Sequence, residues 1–176
     1  MSINHSFMPR YNSSWAMVIG INDYKNAGPL SYARKDAEDF AGRLTDDLGF
    51  PKDQVSLLLD ADATRERILA SYLSFIDVAN SPDDRLVFFF AGHGFTRAGY
   101  RGQVGYLVPA DGNPSSPATL IRWDDITRNA DLIPAKHIVF ILDACFSGLA
   151  LQRIAYPGIE RFMSDMLQRR AGYHGW

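Results

Sequence analysis

Two residues in this sequence are able to do covalent chemistry together. Cys145 is the only cysteine among 176 residues, and it lies in the run Asp143-Ala144-Cys145-Phe146-Ser147-Gly148 that ends an apolar stretch. His93 stands between Gly92 and Gly94 at the end of another apolar stretch, 52 residues earlier. A thiol attacks only as its thiolate, and a free cysteine, with a pKa of about 8.5, is mostly protonated at neutral pH. An imidazole within hydrogen-bond reach removes that proton and turns the sulfur into a nucleophile. The glycines beside His93 keep side chains off the backbone, so the Gly94 N–H can approach a substrate closely. Together the N–H groups of Gly94 and Cys145 would form a donor pair for an oxyanion. The plainer alternative is that Cys145 is a small buried hydrophobe and His93 a turn residue. Finding both at corresponding ends of two apolar runs is much less expected by chance, which leaves catalysis and simple packing evenly matched on these residues alone.

Four apolar runs have strand length and do not alternate: Trp15–Ile21, Val55–Leu59, Leu86–Ala91 and His137–Leu142. Such runs read as strands buried on both faces, as in a parallel sheet. Between them lie helical patterns. Leu30, Ala33, Ala37, Phe40, Leu44 and Leu48 recur every three or four residues, as do Ile68, Leu69, Tyr72, Leu73 and Ile76 in the segment Thr64–Ala79. Thr64 is placed to cap the second of these helices. A weaker helix is predicted over Trp123–Ala130, and another over Ile159–Arg170 after Pro157-Gly158. This alternation predicts an α/β fold, a mostly parallel sheet with helices on both faces. Gly99, Gly102 and Gly105 within Arg97–Val108 predict a small β-hairpin after the third strand, and Asp111–Pro117 a turn-rich loop. In open parallel sheets ligands bind outside the carboxyl ends of the strands, where His93 and Cys145 stand.

Composition narrows the classes. Lys plus Arg is 18 against 20 for Asp plus Glu, a formal net charge of −2, and no basic run suggests a nucleic acid. One cysteine rules out an internal disulfide and a cysteine-rich zinc site. Residues 1–14 form a polar extension without the apolar core of a signal peptide, and no run approaches the roughly 20 apolar residues of a membrane span. The expected setting is cytoplasmic and reducing, where a lone thiol stays free.

The Gly92-His93-Gly94 turn followed by Asp143-Ala144-Cys145-Phe146-Ser147-Gly148 resembles the catalytic signature of caspase-like cysteine peptidases, in the metacaspase and bacterial caspase-homologue branch (peptidase family C14, clan CD). In caspases the histidine also precedes the cysteine by about 50 residues. Trp15–Tyr24 is similar to the family's first strand and turn, Leu30–Leu44 to its first helix, and Gly105–Asp111 to the segment between the two catalytic residues. The resemblance implies the caspase-haemoglobinase fold, with 15–150 as a p20-like catalytic domain and 151–176 as a helical tail toward a small subunit. It implies peptide-bond hydrolysis through a thioester, with Cys145 as nucleophile and His93 as proton carrier in a Cys-His dyad.

Metacaspases cut after Arg or Lys, and their acidic S1 residues map onto Asp143 and Asp36. Paired carboxylates bind a guanidinium through charge-assisted hydrogen bonds. At the end of a buried strand, an unpaired Asp143 would be costly, which favours a functional role for it. Arg34 reads as a solvated helix residue rather than a reader of acidic substrates. No cofactor is expected. Many metacaspases need calcium, but the acid expected seven positions after the cysteine is Gln152 here, and the stretch before Asp111 carries Arg97 and Arg101 without an acid. Asp111, Asp124 and Asp125 read as turn and cap residues.

The chain runs only 31 residues past Cys145, so the resemblance implies the large-subunit portion, with expected partners being protein substrates, a small-subunit (p10-like) chain or the rest of the protein, and a homodimer. An edge lacking its partner strand would be exposed. Arg153, Arg161, Arg169 and Arg170 are candidate self-cleavage sites, or the polar face of a last helix. A catalytically idle caspase-like interaction module is the alternative from another class. A flavodoxin-like phosphate binder needs a Gly-rich loop after the first strand, and Asn22–Pro29 lacks one.

Overall fold

The computed structural model describes residues 11–100, 102–144 and 146–147. A parallel sheet forms its centre. Strand β1 (Ser14–Gly20) lies between β2 (Val55–Leu59) and β3 (Arg85–Ala91), and the strand later in sequence, His137–Asp143, pairs with β3 in parallel at the outer side. Helix α1 (Ala33–Asp46) covers one face. Helix α2 (Arg65–Val78) and the short α3 (Trp123–Asn129) cover the other. The four predicted strands and first three predicted helices all form, within a few residues of the expected bounds.

The chain's apolar pattern sorts the two faces. Ala16, Val18 and Phe89 meet Ala33, Ala37 and Leu44 of α1, with Phe40 stacked on Phe89 at 4.3 Å between ring centroids. Met17, Ile19, Phe88 and Phe90 point to the other side and bury Ile68, Tyr72 and Phe75 of α2 and Trp123 and Ile126 of α3. The Tyr72 hydroxyl donates to the Ile126 carbonyl at 2.8 Å, tying α2 to α3 inside this core. Thr64 caps α2 as expected, its side chain accepting from the Arg67 N–H at 3.3 Å. Helix α1 is shorter than its apolar pattern. Leu30 is held outside it, its N–H bonded to the Asn22 carbonyl, and Gly49, with φ at +70°, turns the chain after Asp46.

The predicted hairpin is part of a larger element. Strand β4 (Gly94–Gly99) begins directly after His93 and pairs antiparallel with β5 (Gly102–Leu107). The two-residue strands β6 (Ile121–Arg122) and β8 (Phe146–Ser147) flank them in a second sheet ordered β6-β5-β4-β8. With these in place the strand His137–Asp143 is β7.

β7 departs from the expectation of burial on both faces. Ile138, Phe140 and Leu142 pack toward α2 and α3, while His137, Val139, Ile141 and Asp143 are exposed on the α1 side. Helix α1 lies over β1, β2 and β3, on the inner side of this outermost strand. Asp143 is therefore a solvated carboxylate rather than a buried one, and the cost of burial is no argument for its role.

Candidate active site

His93 stands where β3 gives way to β4 and the chain passes from one sheet to the other, and β7 and β8 make the same passage beside it. β3 ends at Ala91 and β4 begins at Gly94; β7 ends at Asp143 and β8 begins at Phe146. Ala91 pairs with Asp143 in the first sheet and Gly94 with Phe146 in the second, both in parallel and with the same 52-residue offset. Between them the Gly92 N–H donates to the Asp143 carbonyl at 3.1 Å. The two segments thus pair in register on either side of the crossing. Cys145 lies outside the described residues, but the residues flanking it pair with those flanking His93 at the interval that separates Cys145 from His93 in sequence.

The orientation of His93 follows from its partners. Its Nε2 lies 2.8 Å from the Gly28 carbonyl oxygen. A carbonyl only accepts, so Nε2 carries the hydrogen and Nδ1 is the basic nitrogen. The His93 backbone N–H donates to the Tyr24 hydroxyl at 2.8 Å, and the Tyr24 and His93 rings lie 4.7 Å apart. Gly92 makes this approach feasible: a Cβ there would stand 2.6 Å from the Tyr24 hydroxyl oxygen. The phenol of Tyr24 stays neutral, because burial pushes its pKa up to about 12 although the His93 N–H bond works against that.

Gly94 is the predicted oxyanion donor. The Val108 N–H donates to the His93 carbonyl at 3.0 Å, which makes positions 93 and 108 a hydrogen-bonded pair. Antiparallel ladders alternate, so the next pair, Gly94 with Leu107, is non-bonded and the Gly94 N–H turns away from β5, to the side on which β8 lies.

Both contacts to His93 come from one loop, residues 21–30. Asp60 anchors its start. The Asp60 carboxylate accepts the N–H groups of Asn22 at 2.8 Å and Asp23 at 3.2 Å, and its second oxygen takes the Arg34 guanidinium at 3.0 Å. Partial burial would raise the Asp60 pKa, but the two N–H groups and Arg34 outweigh it and hold the carboxyl below its ordinary value. Asp60 has φ at +45°, the one left-handed non-glycine residue among those described. Arg34, read as merely solvated, is half-exposed and pairs with both Asp60 and Glu38.

The two carboxylates predicted for a cation pocket lie on the α1 side. Asp36 is exposed in the first turn of α1, one turn before Phe40, whose ring stacks on β3, so Asp36 occupies the edge of the helix turned toward β3 and β7. Arg34 occupies the opposite edge, toward Asp60 beyond β2. Asp143 is exposed at the end of β7 on this same face. Asp111 is a cap, accepting the Arg65 N–H at 2.9 Å at the start of α2, and Asp124 pairs with Arg122. Gln152, Arg153, Arg161, Arg169 and Arg170, with Arg101, lie outside the described residues. Among the described residues no three His, Cys, Asp or Glu side chains gather as a metal site would require, and no helix is long and apolar enough to cross a membrane.

Sequence reasoning missed Tyr24, Gly28 and Asp60. The segment Asn22–Pro29 offers only a Gly-Pro turn signal, and its contacts with His93 join residues 65 and 69 positions apart.

Comparison with known proteins adds four findings. A family model described as the caspase domain matches residues 13–170. Metacaspase-3 of Arabidopsis thaliana is 28% identical over 148 residues, covering 77% of this chain and 40% of that protein. Metacaspase-1A of Aspergillus oryzae is 28% identical over 147 residues, covering 77% and 35%. The chain thus spans well under half the length of these relatives. Among solved structures, protein GSU0716 from Geobacter sulfurreducens superposes with a TM-score of 0.64 at 20% identity, covering 89% of this chain and 65% of that one, which is a likeness of fold.

Proposed function

This chain belongs to the caspase-domain family of cysteine peptidases, and from that premise we propose that it is an endopeptidase in which Cys145 and His93 form the catalytic dyad and Arg or Lys is preferred before the scissile bond. The observation that carries this reading is the shared 52-residue offset of the two ladders flanking His93. The tautomer fixed by the Gly28 carbonyl supports it, since Nδ1 is then the nitrogen able to take the thiol proton.

In the proposed reaction the Cys145 thiolate attacks the peptide carbonyl carbon and the carbonyl π electrons move onto oxygen. The N–H groups of Gly94 and Cys145 stabilise that oxyanion. Collapse of the tetrahedral species breaks the C–N bond, and the imidazolium of His93 gives its proton to the leaving amine. Water, deprotonated by Nδ1, then hydrolyses the thioester and the sulfur leaves. The Gly28 carbonyl stabilises the imidazolium through Nε2–H at both stages.

Asp143 and Asp36 are proposed as the carboxylates that receive a P1 guanidinium or ammonium. Their exposure on one face of the sheet supports an accessible cation site. Calcium has no place in the proposed reaction. The sheet is proposed to be completed at β7 by the remainder of a longer protein, by a small-subunit chain or by a second copy. Self-cleavage after Arg153, Arg161, Arg169 or Arg170 is the proposed activating step.

Fluorogenic peptides ending in Arg, Lys or Asp test the reading. Turnover of the Arg and Lys peptides, lost in Cys145→Ala and in His93→Ala, is expected. Asp143→Ala should erode the basic preference by about tenfold or more, the loss of a charge-assisted bond of roughly 1.5–3 kcal/mol. Preference for Asp, or an unchanged preference in Asp143→Ala, overturns the pocket assignment. Lack of turnover by a chain supplied with the rest of its catalytic unit favours an idle interaction module.

A further inference from the structure

We propose that Asp60 and Tyr24 are positioning residues for His93, acting through the loop 21–30. The inference rests on reading His93 as the base and extends it to residues that no sequence motif marks.

The geometry forms a chain of constraint. Asp60 lies directly after β2, two strands away from β3, and its carboxylate grips the Asn22 and Asp23 N–H groups where the loop leaves β1. Arg34 from α1 holds the other carboxylate oxygen, and the Arg34 N–H is bonded to the Asn22 side-chain oxygen at 3.2 Å. The next residue, Tyr24, takes the His93 N–H and packs against its ring. The Lys25 N–H is fixed on the Ala110 carbonyl at 2.9 Å, and the Leu30 N–H on the Asn22 carbonyl at 2.9 Å closes the loop. Within that closed loop Gly28 presents the carbonyl that selects the His93 tautomer.

Two features separate a positioning device from ordinary loop packing. The histidine is held from one loop at both its backbone and its ring, so a shift of the loop changes the ring's direction and its proton distribution together. Asp60 also carries the backbone conformation that side chains rarely adopt, held in place by three hydrogen bonds to its carboxylate. A loop anchored only for folding needs neither the left-handed residue nor a contact to the imidazole.

Nitrogen-15 NMR of the imidazole in the 176-residue chain reads the effect without requiring activity. The His93 signals are those lost in His93→Gln. Neutral wild-type His93 is expected as the single Nε2–H tautomer. Tyr24→Phe and Asp60→Gly should give a mixture of tautomers, while Asp60→Asn, which keeps an oxygen for the loop N–H groups, should retain the single form. Where turnover is measured, kcat in the first two variants should fall about ten- to a hundredfold with KM near wild type, as misplacement of a reacting group does. Folded Tyr24→Phe and Asp60→Gly proteins that both keep the single tautomer overturn the proposal. If Tyr24→Phe does not fold, Asp60→Gly against Asp60→Asn decides by the same readout. Loss of the tautomer in a protein that cleaves no peptide even when supplied with the rest of its catalytic unit upholds the positioning role and counts against the peptidase reading.

Discussion

Asp60 couples the candidate site to pH through a charge that is 13% exposed at its side chain. Its pKa in the folded chain is lower than the roughly 3.9 of an unfolded aspartate. Such a group adds stability above the unfolded value and loses it as pH falls through the folded one, because the unfolded chain takes up the proton first. Asp60→Asn removes the charge but tolerates the left-handed backbone. The gap in melting temperature between wild type and this variant should be full at pH 7 and narrow below about pH 4. A gap of constant size from pH 7 to pH 3 would contradict the account. Nothing in the sequence marks Asp60, since its partners come from the loop at Asn22 and Asp23 and from Arg34 of α1, 26 to 38 positions away. His93 was legible because glycines flank it at the end of an apolar run. Its partner Tyr24 was not, because side-chain contact across 69 positions leaves no local pattern.

At the scale of elements, the apolar runs and helical periodicities located the parallel sheet and its three helices within a few residues. Burial periodicity reports local environment, and those environments are local to each segment. The same reasoning failed for β7, whose continuous apolar run His137–Leu142 reads as doubly buried although one face is open. Composition states what a strand could bury and not what covers it. The short strands β6 and β8 escaped for a related reason: two residues carry no period. One packing contact sets how closely α1 approaches the sheet. A Cβ on Gly20, at the end of β1, would stand 2.5 Å from both the Ala33 carbonyl oxygen and the Ala37 Cβ. Neither atom belongs to a flexible side chain, so Gly20→Ala must displace the first turn of α1, which carries Arg34 and Asp36. Overpacking of this kind costs about 1–3 kcal/mol. The variant should unfold at lower denaturant by that amount in chemical denaturation, and an unchanged midpoint would show that the helix yields freely.

At the scale of the whole molecule, the open side of β7 decides how the chain behaves in solution. Among the described residues β7 has a strand neighbour on one side only, so its other edge presents a row of backbone N–H and C=O groups with no described strand partner. On its α1 side Val139 and Ile141 are 40% and 37% exposed, contiguous with the half-buried Val87 of β3. An apolar strand with a free edge is a template for pairing with another chain. With a formal net charge of only −2, long-range repulsion between copies is weak. The isolated chain is therefore expected to self-associate with rising concentration, through β7. Sedimentation velocity on wild type and on a Val139→Lys, Ile141→Lys double variant measures this. The expected result is a concentration-dependent shift in wild type that the lysines abolish, with melting temperature preserved because both positions are exposed rather than packed in the core. A wild type that stays monomeric at every concentration, or an association indifferent to the lysines, would place the contact elsewhere and leave β7 a tolerated edge.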